Sequence, residues 1–102
     1  MAKNSTINLK QIRTVLRKNR KEIYTKYKAE ILGVFGSYSR DEASSDSDID
    51  ILVRFEKGAS LFGWAGLARY LEDLLEVSVD VVPEKSLKKE LQDQVYRDLI
   101  KV

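Results

Sequence analysis

The chain contains no histidine and no cysteine. Without them neither a Ser-His-Asp nor a Cys-His catalytic set can be assembled, and zinc sites built on imidazole or thiolate are excluded along with disulfides. Any chemistry must therefore fall to carboxylates, hydroxyls, amines, guanidiniums and hard cations. No apolar run approaches the ~18 residues that span a bilayer, and the first residues lack the apolar segment of a signal peptide, so the expectation is a cytoplasmic protein with no membrane partner. Acidic residues are scarce at the start: Met1 to Lys28 carries nine Lys/Arg against Glu22 alone, a balance of +8. Ala29 to Val102 carries nine Lys/Arg and fifteen acids, a balance of −6, which leaves the chain at +2. A basic N-terminal segment thus precedes an acidic body.

What is present describes an ordinary folded domain. With 102 residues, 43% hydrophobic and 33% charged, the chain suits one domain over residues 1–102 with one core and no separate substrate domain. Leu9, Ile12, Leu16, Ile23 and Tyr27 recur at helical spacing and predict an amphipathic helix over 8–28, with a break near Asn19. The run EILGVF at 30–35 reads as a buried strand ending at Gly36. Residues 37–47 are polar and loop-like, with one helical turn around Tyr38 to Asp41. DIDILVRF at 48–55 alternates as a strand, Ile49, Ile51, Val53 and Phe55 facing one way and Asp48, Asp50, Leu52 and Arg54 the other.

Ser60 reads as the N-cap of a helix through Leu75, with Leu61, Trp64, Leu67, Leu71 and Leu74 as its apolar stripe. Trp64 is expected in the core, not as a base-stacking platform, and Tyr24, Tyr27 and Tyr38 are expected to be partly buried, not modification sites. VSVDVV at 77–82 reads as a third strand, with Asp80 on the face of Ser78 and Val82, and Pro83 as its stop. Ser86 is expected to cap a last helix carrying Leu87, Leu91, Val95 and Leu99 at i, i+4 spacing and running to Ile100-Lys101-Val102. The order predicts an α/β (α+β) domain: a small mixed sheet flanked by helices.

Three acids sit where a core strand should be apolar. Asp48 and Asp50 fall two residues apart, ~6.6 Å along one strand face, and aspartate is a poor strand former. Mutual repulsion and desolvation call for compensation, and Mg²⁺, a cation that takes one or two carboxylates plus substrate phosphates, supplies it. Asp80 repeats the anomaly among valines, so neighbouring strands would bring three carboxylates to one face. The plain alternative is a solvated strand face that carries its acids harmlessly. Gly36 after a buried strand permits a sharp turn and a close backbone approach, and Ser37 adds a hydroxyl and an N–H at the expected start of a short helix, where anions bind well, although most Gly-Ser pairs are ordinary turns.

The combination is more specific than its parts. Gly36-Ser37, ten intervening residues and Asp48-x-Asp50 in an apolar strand resemble the signature of the DNA polymerase β-like nucleotidyltransferase superfamily. The fuller string FGSYSRDEASSDSDIDILV resembles its minimal nucleotidyltransferase branch, whose members often read FGSxARG and then SDIDLLV. Ser39 and Asp41 depart from it, standing where the branch commonly has Ala and Gly. The resemblance covers nearly the whole chain and implies the polymerase β-like fold. It further implies that Asp48 and Asp50 hold two Mg²⁺ ions, that Asp80 completes the ion nearer the nucleophile, and that Gly36 and Ser37 bind the β- and γ-phosphates of ATP. Arg40 is a candidate phosphate contact, with an ion pair to Asp41 or Glu42 as the alternative.

Minimal members of the branch are frequently antitoxins that inactivate a HEPN-type ribonuclease toxin by transferring AMP to its tyrosine, and the resemblance implies that partner here. The runner-up is nucleotide transfer to RNA or a small molecule, for which the basic N-terminal segment speaks. A catalytically silent module that occludes a toxin is a third reading, opposed by the three aspartates.

Overall fold

A computed structural model describes residues 7–102, so Lys3 of the basic segment lies outside the described residues. The elements run α1 (Leu9–Lys18), α2 (Arg20–Tyr27), β1 (Ala29–Phe35), β2 (Ile49–Phe55), α3 (Leu61–Leu75), β3 (Val79–Pro83), a 3₁₀ turn (Glu84–Ser86), α4 (Lys89–Asp98) and β4 (Ile100–Lys101). The sheet has the order β3-β2-β1-β4. β1 pairs antiparallel with β2 and β4, and β2 pairs parallel with β3 across the α3 crossover. This is the small mixed sheet with helices expected from the sequence.

The helix break falls where the periodicity predicted it. Asn8 opens α1 with a reciprocal cap: Gln11 N–H donates to Asn8 Oδ1 at 2.8 Å and Asn8 N–H to Gln11 Oε1 at 2.9 Å. Asn19 closes α1 by donating its Nδ2 to the Val15 carbonyl at 2.8 Å, while its own carbonyl accepts from Ile23 N–H in α2. The Tyr70 hydroxyl of α3 donates to Asn19 Oδ1 at 3.3 Å and so ties the corner to the third helix. Ser60 caps α3 as expected, accepting from Gly63 N–H at 3.0 Å.

Ile49, Ile51 and Val53 of β2 point towards α1, α2 and α3 and are fully buried there with Ile12, Leu16, Ile23, Leu67 and Leu71. Period-2 alternation then turns Asp50 to the opposite face, against which α4 packs. Trp64 packs against the core and donates its indole N–H to the Val81 carbonyl at 2.9 Å, so its polar tip is spent on β3. Tyr38 is buried, Tyr27 is half-buried against the Tyr70 ring at 5.5 Å, and Tyr24 is half exposed, more open than its expected partial burial.

Four boundaries differ from the sequence reading. Asp48 lies just before β2, which begins at Ile49. β3 begins at Val79 and keeps Pro83 as its last residue, because an edge strand has no further ladder partner for a proline to disappoint. Ser86 belongs to the 3₁₀ turn, and Lys88 occupies the N-cap of α4 without a side-chain cap bond. Residues 100 and 101 leave the helix and add a strand to β1. Gly33 admits that strand: a Cβ there would run into the Ile100 carbonyl and lie 2.9 Å from Leu99 Cδ1.

Candidate active site

The three strands deliver the predicted residues to one edge of the α4-covered face. Asp50 stands between Phe35 of β1, its antiparallel partner, and Asp80 of β3, its parallel partner. Side chains in register on adjacent strands share a face, so Asp50 and Asp80 lie side by side, and Asp48, two residues earlier, enters the same edge. Burial pushes the Asp50 carboxyl up to about 6, reinforced by the charges of Asp80 and then Asp48 and partly opposed by the Arg40 guanidinium. Among the described residues no three acids are already drawn into a metal-binding cluster. Uncompensated carboxylates hold one another off, and the all-oxygen, hard donor set that they present is the kind that Mg²⁺ takes.

β1 ends at Phe35, and Gly36 turns the chain with φ of 80°. The turn that follows is tightly bonded. The Gly36 carbonyl accepts from Ser39 N–H at 3.0 Å, Ser39 Oγ at 2.8 Å and Arg40 N–H at 3.2 Å, and the Ser37 carbonyl accepts from Glu42 N–H at 2.8 Å. Residues 37–41 thus form a hydrogen-bonded turn, not the short helix expected at Ser37, and the turn starts from Gly36, which packs on Asp50. A Cβ on Gly36 would collide with Asp50 Oδ2 and stand 3.1 Å from its Cγ. The glycine therefore does two things: it takes a left-handed backbone and it makes room for the carboxylate.

Asp41 ends the turn with φ of 60°, also in the left-handed region. That geometry gives the physical reason for the glycine commonly found at this place in the minimal branch. Arg40 makes the ion pair that the sequence offered as its alternative role. Its Nε is 2.9 Å from Glu42 Oε1, not Asp41, and its Nη1 is 2.9 Å from Asp98 Oδ2 at the end of α4. Tyr38 lies buried next to Asp48, its phenol pushed up by burial and then by the Asp48 charge. Both line a cavity of about 250 Å³ with Ser45, Ser47 and Ser78.

The residues expected at i, i+4 spacing on the last helix are mostly not core, and Leu87 and Leu99 flank α4. Only Val95 is buried; Leu91 is 48% exposed, and Leu87 and Leu99 are half-buried. Leu87, Leu91 and Val95 line a cavity with Asp50 and Asp80, whereas Leu99 packs near Gly33.

Known proteins match this arrangement. Residues 9–102 match the nucleotidyltransferase domain family. The chain is similar to the protein adenylyltransferase MntA of Thermococcus cleftensis, 42% identical over 96 residues that cover 94% of this chain and 97% of the relative. It superposes on a solved structure described as a candidate minimal nucleotidyltransferase with a TM-score of 0.81 and 39% identity, covering 97% of this chain and all of the other. It also resembles a chain in the complex of tri-AMPylated Shewanella oneidensis HEPN toxin with MNT antitoxin, with a TM-score of 0.66, 25% identity and coverage of 91% and 70%.

Proposed function

Since the chain belongs to the nucleotidyltransferase domain family, we propose that residues 1–102 work as one catalytic unit, a protein adenylyltransferase that moves AMP from ATP to a tyrosine of a HEPN-type toxin and thereby acts as its antitoxin. The observation that carries the reading is the register of Asp50 against Asp80 with Gly36 packed on the Asp50 carboxylate. It puts a backbone turn beside a cluster of carboxylates, the pairing needed to grip a triphosphate and its cations. The MntA relative and the AMPylated toxin complex support protein as the acceptor class.

In this reading Gly36 and Ser37 hold the β- and γ-phosphates through backbone N–H groups and the Ser37 hydroxyl. Asp48, Asp50 and Asp80 would hold the Mg²⁺, a cation that takes carboxylate oxygens together with substrate phosphates. When bound, the cation supplies charge stabilisation at the attacking and leaving oxygens. Phosphoryl-type transfer of this kind rests on positioning and electrostatics, so a chain without histidine is fully equipped for it. Arg40 is within electrostatic reach of Asp50 and would exchange Glu42 or Asp98 for a phosphate oxygen.

The placement of the basic residues bears on the RNA alternative. α1 and α2, which carry most of them, cover the face opposite Asp50 and Asp80. An RNA held there by its phosphates would not lead its end to the carboxylates. The test is incubation with labelled ATP and Mg²⁺, first with total cellular RNA and then with the product of the adjacent gene. AMP on the partner, absent in Asp48→Asn, is expected. Label in RNA with the partner unmodified would overturn the assignment.

A further inference from the structure

α4 lies across the sheet with a cavity on either side. One, about 250 Å³, opens towards β1 and is lined by Gly36, Arg40 and Asp98; the other, about 360 Å³, opens towards β3 and is lined by Asp50, Asp80, Val82, Leu87, Lys88 and Leu91. Phe35, Leu91 and Val95 form the wall that both share. The two sides differ in character: the β1 side has a guanidinium and a backbone turn, whereas the β3 side has two carboxylates at its floor and aliphatic side chains above them. Leu91 stands 48% exposed on the dividing wall, a large apolar side chain left open next to acids.

The chemistry of transfer assigns these sides. In an in-line displacement the attacking oxygen and the departing pyrophosphate lie on opposite sides of the α-phosphorus. With the β- and γ-phosphates on Gly36 and Ser37, at the end of β1, the attacking group must come from the direction of β3. The groove on that side is the one walled by Val82, Leu87 and Leu91.

We infer that this groove between β3 and α4 is the acceptor subsite, seating a tyrosine ring against Val82, Leu87 and Leu91 with the phenolic oxygen turned towards Asp50 and Asp80. The inference rests on the adenylyltransferase reading and adds the residues that select the acceptor. A tyrosine has the complementary form: an apolar body for the aliphatic wall and a single oxygen at its tip for the carboxylate floor. A serine would leave the wall unfilled, and an RNA end would bring its phosphates against Asp80. In the transfer, the phenolic oxygen forms a bond to the α-phosphorus as the bond from that phosphorus to the bridging oxygen breaks. The electron pair leaves with pyrophosphate, and the phenolic proton passes to water at the groove mouth. Leu87, Leu91 and Val82 are binding residues in this scheme and take no part in the bond changes.

The test compares wild type, Leu91→Asn and Leu91→Phe, using N-acetyltyrosinamide and N-acetylserinamide as acceptors and a non-hydrolysable ATP analogue for binding. Leu91 is exposed enough that these changes leave the fold intact. Leu91→Asn should raise KM for the tyrosyl acceptor about tenfold, well beyond any change in its ATP-analogue affinity, and Leu91→Phe should keep KM within about threefold of wild type. N-acetyltyrosinamide should shift the methyl resonances of Val82, Leu87 and Leu91, and N-acetylserinamide should not. Methyl shifts decide the matter even if transfer to the free amide is too slow to follow. A wild type that labels tyrosine while Leu91→Asn behaves identically would overturn the groove and leave the adenylyltransferase reading standing. Label in RNA with no methyl shift from the tyrosyl probe would overturn both.

Discussion

Gly36 and Asp50 occupy one volume between them: the space where a side chain on residue 36 would begin is filled by the Asp50 carboxylate. The Gly36 turn and the acidic strand are therefore coupled by sterics. Gly36→Ala should destabilise the protein by about 1–3 kcal/mol, combining overpacking with a left-handed alanine. In the background of Asp50→Ala, where the carboxylate is gone, only the backbone part should remain. Chemical denaturation of the four proteins of that cycle measures the coupling, and strict additivity would refute it.

The raised Asp50 carboxyl makes a pH prediction for the protein without Mg²⁺. The unfolded chain gives up this proton near 3.8, the folded chain only at about 6. Between those values the folded state binds more protons, so Asp50 costs stability progressively as pH rises and imposes its full cost above pH 6. Asp50→Asn should therefore be the more stable protein at pH 7, by about 1 kcal/mol once screening at a half-exposed site is allowed for. Its advantage should vanish below pH 4. Added Mg²⁺ should raise Tm in the wild type and fail to do so in the variant. Thermal melts at pH 4 and pH 7, with and without Mg²⁺, check all three outcomes.

Asp41 sits in the left-handed region with φ of 60°. Asp41→Gly relieves that conformation and should stabilise the fold by about 0.5–1 kcal/mol, the greater freedom of glycine in the unfolded chain offsetting part of the gain. AMP transfer should stay within twofold of wild type, because no candidate site role falls on the Asp41 side chain. A loss of stability would show that the Asp41 carboxylate does something in the turn beyond tolerating the backbone.

Arg40 spans the Gly36 turn and α4 through Glu42 and Asp98. These are partly exposed pairs, so Asp98→Ala should change stability by under about 1 kcal/mol. Nucleotide binding separates structure from function more sharply. Arg40→Ala should weaken ATP binding in Mg²⁺, whereas Asp98→Ala, which releases the guanidinium, should leave it equal or tighter. Calorimetry on both variants reads the difference; parallel losses would mean that Arg40 acts only by holding α4.

Much of the site is local in sequence and was legible there. Gly36-Ser37 and Asp48-x-Asp50 are close enough along the chain that one strand, one turn and the next strand must place them near each other. Asp80 was legible as an anomaly among valines, but its relation to Asp50 was not. Parallel pairing across a helical crossover is decided by how α3 packs, and no local pattern encodes the register. The same limit explains the C-terminus: the i, i+4 period of Leu87, Leu91, Val95 and Leu99 reads as one helix to the end of the chain, while the helix runs only Lys89–Asp98 and a strand follows. The strand at 100–101 forms only because Gly33 of β1, distant in sequence, leaves room for its backbone.

What the amino-acid sequence determined by itself is the chemistry available and the elements that carry it. Without histidine or cysteine the reactive groups had to come from carboxylates, hydroxyls, amines, guanidiniums and hard cations, and the alternation of 48–55 alone committed Ile49, Ile51 and Val53 to one face and Asp50 to the other. What only the tertiary structure decided is which residues meet: Asp50 beside Asp80, Arg40 with Asp98, Leu91 over the carboxylate cleft. The physical reason is range. Backbone propensity and side-chain period act over a few residues, while strand register and helix docking depend on the shape of the whole packed core, to which α1, α2 and α3 contribute together.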